Sequence, residues 1–129
     1  MSKIQKINTD TAPSAIGPYS QAISAGEFVF ISGQLPIDRS TKKLIDGSIE
    51  TMTHLVIDHL LAILNAAGLT LANVVKTEVY LKDLADFPAM NSAYAERFHF
   101  PIPPARVTIQ AAKLPMDARI EISCTAYRG

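Results

Sequence analysis

The sequence predicts an α+β protein with elements in the order β-β-α-β-α-β-β and two helices packed on one face of the sheet. Short runs of residues typical of strands occur near the start, in the middle and at the end of the chain. Two segments with apolar residues at helical spacing lie between these runs. A chain of 129 residues has the length of one domain, so we expect residues 1–129 to form a single domain.

The first two strands are predicted at residues 17–24 (GPYSQAIS) and 28–35 (FVFISGQL). A short glycine-containing connection, AGE, lies between them, so we expect a hairpin. Residues 28–31 are apolar at consecutive positions, which favours a strand that is covered on both faces.

Two helices are predicted. The first begins at Ile49 and ends at Gly68, and its apolar face consists of Ile49, Met52, Val56, Leu60, Ile63 and Ala67. The second follows Asp86, a candidate cap, and has Pro88 in its first turn. Its apolar face consists of Phe87, Met90, Tyr94 and Phe98.

Between the helices, residues 73–83 alternate as in a strand. This alternation places Val75, Thr77, Val79 and Leu81 on one face and Val74, Lys76, Glu78 and Tyr80 on the other. Because two helices cover only one face of such a sheet, apolar residues on the other face, which include Val74 and Tyr80, need a further cover. We therefore expect a homo-oligomer.

The last two strands, residues 105–111 and 119–126, are joined by a short connection and are expected to be antiparallel neighbours. If their apolar faces pair, one polar set shares the face that lacks helices: Arg106, Thr108, Glu121 and Ser123. Arg106 follows the prolines of PIPPAR, which hold the backbone extended. A planar guanidinium in an apolar wall favours a small carboxylic acid as ligand. The alternative is a structural salt bridge from Arg106 to Glu121 or to a C-terminal carboxylate.

Composition narrows the possible partners and the compartment. Twelve basic and twelve acidic residues give a formal net charge of zero, and no basic cluster favours nucleic acid or an anionic membrane. No secretory signal or long apolar window is evident, and a lone cysteine, Cys124, suits a reducing compartment. We expect a cytoplasmic protein with Cys124 as inert core packing.

Several stretches resemble the RidA (YjgF/YER057c/UK114) family of reactive intermediate deaminases: IGPYSQA, FISGQLP, ILNAAG, VVKTEVYLKDL, FPAMNSAY, PARVTI, KLP and IEI. The resemblance covers nearly the whole chain. It implies a chorismate-mutase-like subunit, of the bacillus chorismate mutase type, in a homotrimer with ligand sites between subunits. It also implies hydrolysis of 2-aminoacrylate, 2-iminopropanoate or 2-iminobutanoate to a 2-keto acid and ammonia, without metal or organic cofactor.

The resemblance assigns roles to individual residues. Arg106 is similar to the family's carboxylate anchor, and Glu121 resembles the carboxylate that orients or activates water. Further positions match those that line the family's cleft: Tyr19, Ser32, Gly33, Asn91 and Thr108. Thr108 stands where several members have cysteine, while Met52 and His59 replace frequent Gln and Asn.

Each site residue also has a structural alternative. Glu121 could pair with Arg119 or Arg106, and Tyr19 could pack against a strand. Ser32 could serve a strand bend, and Asn91 a local hydrogen bond within its helix.

A metal site is not expected, because His54 and His59 are five residues apart rather than four and His99 is remote. His54 is predicted to form a surface pair with Asp58 instead. Two other functions stay open for the chain. One is a non-catalytic trimer that binds a keto acid. The other is an endoribonuclease or translation inhibitor, since relatives have been described in these terms.

Overall fold

The computed structural model describes residues 3–129, which form a six-stranded sheet, a two-stranded ribbon and two helices. The helices are α1 (Ile49–Ala66) and α2 (Phe87–Arg97). The sheet has the order β1-β2-β3-β8-β6-β7. Its strands are β1 (Ile4–Ile7), β2 (Ala22–Ala25), β3 (Phe28–Gln34), β6 (Val74–Leu81), β7 (Ala105–Gln110) and β8 (Ile120–Tyr127); the ribbon is β4 (Ile37–Asp38) with β5 (Lys43–Leu44).

Both helices cover the same face of the sheet, which confirms the predicted α+β class. Helix α1 begins after Ser48, whose hydroxyl accepts a hydrogen bond from the Thr51 amide at 3.1 Å, and it ends before Gly68, where φ is +78°. The core between helices and sheet is apolar and includes fully buried side chains of both layers, among them Val56, Leu60, Ile63, Val79, Leu81, Met90, Ile120 and Ile122.

The first hairpin is shorter than predicted, because residues 17–21 form a loop and β2 begins at Ala22. Gln21 fixes this loop: its buried side chain accepts from the Thr9 amide at 2.8 Å and donates to the Pro13 carbonyl at 2.7 Å. The prediction that both faces of β3 are covered is wrong for a single subunit. Val29 is buried, but Phe28 is 42% exposed and Phe30 is 46% exposed.

The predicted pairing of the last two strands is wrong. β7 pairs with β6 in parallel, and β8 lies between β3 and β6, antiparallel to both. Helix α2 is the crossover between the parallel strands. The apolar set of β8 is completely enclosed and needs a central position, whereas the half-exposed residues of β7 suit an edge. A short connection therefore did not make the two strands neighbours.

Strand β6 contains an irregularity that reverses one predicted orientation. The register between β6 and β8 shifts between Val74 and Lys76. As a result Val74 is buried in the core, while Val75, predicted for the core face, is 41% exposed. The alternation from Thr77 to Leu81 follows the prediction.

The face of the sheet opposite the helices carries exposed apolar side chains that no other element of residues 3–129 covers. Its exposed large side chains include Ile4, Phe28, Phe30, Val107, Ile109 and Tyr127. We call this surface the open face. Within residues 3–129, no helix is long and apolar enough to cross a membrane.

Candidate active site

Arg106 lies on the helix-covered side of the sheet, at its β7 edge. In the parallel register it is the partner of Thr77, a fully buried residue of β6, so its side chain points towards α2. The guanidinium donates from Nη1 to Oδ1 of Asn91 at 2.8 Å. It also lies over two rings, 4.7 Å from the Tyr94 centroid and 5.5 Å from that of Phe87.

All three contacts of the Arg106 guanidinium are with neutral groups of α2. Phe87, Asn91 and Tyr94 follow one another at four- and three-residue intervals, which places them on one face of the helix. Among residues 3–129, no carboxylate lies within ion-pair distance of Arg106. The structural salt bridge to Glu121 is therefore not formed, and no carboxylate of residues 3–129 neutralises the charge of Arg106.

Thr108 lies two residues further along β7 on the same side as Arg106. Its Oγ1 is buried and has no hydrogen-bond partner within the described part of the chain. A buried hydroxyl without a partner costs free energy. Arg106, Asn91 and Thr108, together with the two aromatic rings, form what we call the arginine half-site.

Glu121 lies on the open face, near the start of β8 and opposite Tyr80 of β6. Burial raises the pKa of its carboxyl above the ordinary value. Neither proposed structural partner is used: Arg119 binds both carboxylate oxygens of Asp86 at 3.1 Å, and Arg106 is turned towards α2. In residues 3–129 Glu121 thus forms no ion pair.

Glu121 borders a cavity of about 470 Å³ next to the end of β3, where the pairing of β3 with β8 is interrupted between Ile31 and Gln34. The cavity is lined by Ile16, Tyr19, Ser32, Gly33, Leu35, Pro115 and Glu121. Ser32 donates its hydroxyl hydrogen to the Ser20 carbonyl at 2.6 Å. The Tyr19 hydroxyl accepts a long bond from the Ile16 amide at 3.4 Å, and the residue is 52% exposed rather than packed against a strand. We call this cavity the glutamate half-site.

Gly33 gives the carboxylate of Glu121 its space. A Cβ atom at position 33 would lie 2.2 Å from Oε2 and 2.8 Å from Cδ of Glu121. No side chain other than hydrogen fits there while the carboxylate keeps this position. Glycine is therefore required at position 33 because it leaves space for the Glu121 carboxylate, not because a turn needs it.

The predicted polar cluster of four residues on one face is wrong. Arg106 and Thr108 lie on the helix side, whereas Glu121 and Ser123 lie on the open face, separated by β6. The reason is the parallel pairing of β7, which puts Val107 and Ile109 on the open face in place of Arg106. Ser123 donates to Glu78 at 2.8 Å and does not border the cavity.

No cluster of three or more His, Cys, Asp or Glu side chains in residues 3–129 could hold a metal ion. The predicted pair of His54 with Asp58 is not formed. His54 contacts Glu96 at 3.0 Å and Asp58 binds Arg97 at 2.7 Å, so both link α1 to α2. Cys124 is in the core, where burial raises the pKa of its thiol to about 12.

Comparison with known proteins shows the family of this chain. A family model described as Endoribonuclease L-PSP matches residues 9–128. The chain belongs to this family. The RutC family protein of Pyrococcus horikoshii is 50% identical to it over 122 residues, which are 95% of this chain and 96% of the relative.

A relative named Reactive Intermediate Deaminase A confirms the predicted relationship to RidA proteins. The chloroplastic Reactive Intermediate Deaminase A of Arabidopsis thaliana is 46% identical over 125 residues, covering 96% of this chain and 66% of the relative. The crystal structure of E. coli TdcF with bound serine superposes with a TM-score of 0.91 at 36% identity and covers 97% of this chain and 99% of that one.

In this chain, sequence motifs indicated most of the candidate site residues. They did not indicate the two aromatic rings that contact the Arg106 guanidinium. Phe87 and Tyr94 were predicted only as core residues. Their spacing from Asn91, four residues before it and three after it, is the signal that could have placed all three beside one ligand.

Proposed function

We propose that this protein is a hydrolase that deaminates small 2-imino acids, such as 2-iminopropanoate and 2-iminobutanoate, to 2-keto acids and ammonia. The observation that carries the proposal is a pair of complementary, unneutralised groups: a guanidinium held only by neutral contacts and a desolvated carboxylate beside a cavity. The Arabidopsis relative, named a reactive intermediate deaminase, supports the reaction class, and the serine bound to TdcF supports a small amino-acid-like ligand.

The two half-sites lie on opposite sides of the sheet, so one chain does not bring Arg106 and Glu121 together. We propose that a homotrimer does so, with the arginine half-site of one subunit facing the glutamate half-site of its neighbour. The exposed apolar residues of the open face support such an assembly, since a surface of this kind is costly in water. Each site then lies between two subunits.

The reaction requires a held acid, a placed water and controlled protons. 2-Aminoacrylate gains a proton at its methylene carbon and loses one from nitrogen to give 2-iminopropanoate. Water adds to the imine carbon and forms a carbinolamine; one proton passes from the oxygen to the nitrogen, and the C–N bond breaks to release ammonia and the 2-keto acid. No redox step or cofactor is required for this balance.

Each half-site suits one part of that reaction. The fork of Arg106 binds the substrate carboxylate, and the unpartnered Thr108 hydroxyl lies on the same side for a further hydrogen bond. Glu121, with its raised pKa, accepts the proton of the attacking water. The hydroxyls of Tyr19 and Ser32 line the cavity, where they steady the nitrogen or the developing charge.

The test is the lifetime of 2-iminobutanoate that threonine dehydratase generates in situ. The parent protein should shorten it catalytically beyond spontaneous hydrolysis. Arg106→Ala should reduce catalytic efficiency by about two to three orders of magnitude, because a desolvated charge contact is lost. Arg39→Ala, which removes an exposed arginine outside both half-sites, should behave like the parent.

Three outcomes would contradict the proposal. If Arg106→Ala is as fast as the parent, Arg106 is structural. If the parent leaves the imine lifetime unchanged but binds 2-oxobutanoate, the protein is a metabolite-binding member of the family. Cleavage of RNA by the parent, retained in Arg106→Ala and Glu121→Gln, would instead favour the activity named in the family description.

A further inference from the structure

The support of the Arg106 guanidinium carries an inference beyond the roles of Arg106 and Glu121. An arginine that binds a carboxylate needs a fixed orientation, and proteins often supply it with an acidic partner. Such a partner would compete with the ligand for the charge. Here the described contacts of the guanidinium are an amide oxygen and two aromatic rings, so the orientation is fixed without a competing anion.

Tyr94 is the nearer of the two rings and is itself rigid. Its hydroxyl and the hydroxyl of Thr77 are 2.7 Å apart in a buried hydrogen bond. Its ring stacks on Phe98 with centroids 4.5 Å apart. Only 7% of its surface is exposed, so neither end of the side chain is free to move.

The hydrogen bond connects Tyr94 to the strand that neighbours Arg106. Thr77 on β6 and Arg106 on β7 are register partners in the parallel pair. Tyr94 therefore contacts both strands: its hydroxyl bonds to Thr77 of β6, and its ring packs against the guanidinium of Arg106 on β7. The position of the charge is set by the sheet and α2 together.

We propose that Tyr94 is a positioning residue for Arg106. Its ring, fixed by Thr77, holds the guanidinium in the orientation that receives a carboxylate and leaves its charge intact. This inference rests on the proposed function only in that Arg106 binds the carboxylate of the ligand; it does not require that the ligand is hydrolysed.

The experiment measures the affinity of the assembled protein for 2-oxobutanoate by calorimetry, together with KM and kcat for 2-iminobutanoate. Tyr94→Leu removes the ring and should weaken 2-oxobutanoate binding about 2- to 30-fold, the range of a cation–π contact. KM should rise more than kcat falls. Tyr94→Phe keeps the ring but loses the hydrogen bond to Thr77, so it should weaken binding less than Tyr94→Leu does.

Phe98→Leu is the matched control, because it removes a buried ring from the same stack but not the one under Arg106. It leaves the Tyr94 ring and its hydrogen bond to Thr77 in place, so it should lower the melting temperature as Tyr94→Leu does but reduce the affinity less. In an Arg106→Ala background, Tyr94→Leu should cause no further loss of binding, as expected for two residues that act through one contact. If Tyr94→Leu does not fold, Tyr94→Met, whose flexible side chain refills the space, replaces it.

An unchanged affinity in Tyr94→Leu, or an equal loss with and without Arg106, would overturn the inference. So would an absence of 2-oxobutanoate binding by the parent, since Arg106 would then receive no carboxylate. If the parent binds 2-oxobutanoate in this Tyr94-dependent way but does not hydrolyse the imine, the deaminase proposal fails and the role of Tyr94 stands.

Discussion

At the level of one residue, Glu121, which we propose as the general base, carries a cost to stability. Burial disfavours the charged form of its carboxyl, and no cation in residues 3–129 offsets this within the chain. A folded-state pKa above the unfolded value means that the folded state is relatively more stable at low pH. That contribution is lost as the pH rises through the raised pKa.

Glu121→Gln should therefore separate activity from stability. At neutral pH we expect turnover to fall by about two to four orders of magnitude, the contribution of a general base, while the melting temperature rises. The gain in melting temperature should disappear below the ordinary carboxyl pKa, where the parent is protonated too. In the parent, kcat/KM should fall as the pH drops through the raised pKa of Glu121.

The checks are pH profiles of kcat/KM and thermal melts at neutral and acidic pH. Glu27→Gln makes the same charge change at an exposed turn and serves as control. A Glu121→Gln variant with parental turnover would remove Glu121 from the catalytic machinery.

The sequence alone indicated which residues are candidates for the site, but it did not indicate the contacts that these residues make. Motifs singled out Arg106, Glu121, Tyr19 and Ser32, because short stretches of sequence carry them. The role of Tyr94 depends on distances to two different strands, which no local pattern contains. Its apolar helical spacing gave the correct burial and concealed the contact with Arg106.

At the level of elements, the irregular end of β3 shapes the glutamate half-site. Pairing of β3 with β8 is regular up to Ile31 and resumes at Gln34, so Ser32 and Gly33 fall in the break. Such breaks redirect side chains and often lie beside active sites. Here the break brings Gly33 against the carboxylate of Glu121.

Gly33→Ala should leave the fold intact and displace that carboxylate. The φ angle of Gly33 lies outside the left-handed region, and the three atoms nearest to the new methyl would all belong to the flexible side chain of Glu121. A displacement of about 1 Å at a catalytic group can lower the rate about 100-fold. Turnover and circular dichroism measure the two effects.

The same change made in Glu121→Gln should cost little further turnover, since the group it displaces is already inactive. A large additional loss there, or normal turnover of Gly33→Ala alone, would contradict the proposed role of Gly33.

Strand and helix positions were more predictable than strand order. Periodicity located α1, α2 and β6, because it reports burial on one side of an element. It contains no information on which strand is adjacent, and the short connection between β7 and β8 suggested a hairpin. The completely enclosed residues of β8 decide the order, since they require neighbours on both sides.

At the level of the whole molecule, the separation of the half-sites gives a direct test of the assembly. Arg106→Ala and Glu121→Gln should each be nearly inactive, but mixed trimers formed by co-refolding should regain activity. With random mixing of equal amounts, about a quarter of the sites combine an intact Arg106 with an intact Glu121 from different subunits. The measurement is the imine hydrolysis rate before and after mixing.

Arg106→Ala mixed with Asn91→Ala is the control, because both changes lie in the arginine half-site and no mixed pair restores it. If the first mixture stays inactive despite exchange of subunits, Arg106 and Glu121 do not act across an interface.

The central position of β8 also has a consequence for folding. Residues 120–127 pair with β3 and β6, strands that begin roughly 90 and 50 residues earlier, so the sheet closes through contacts between distant parts of the chain. Until β8 inserts, β3 and β6 each present an unpaired edge, the kind of surface on which chains aggregate. Closure of the sheet therefore requires long-range pairing by β8, and we expect substitutions in β8 to lower the yield of folded protein.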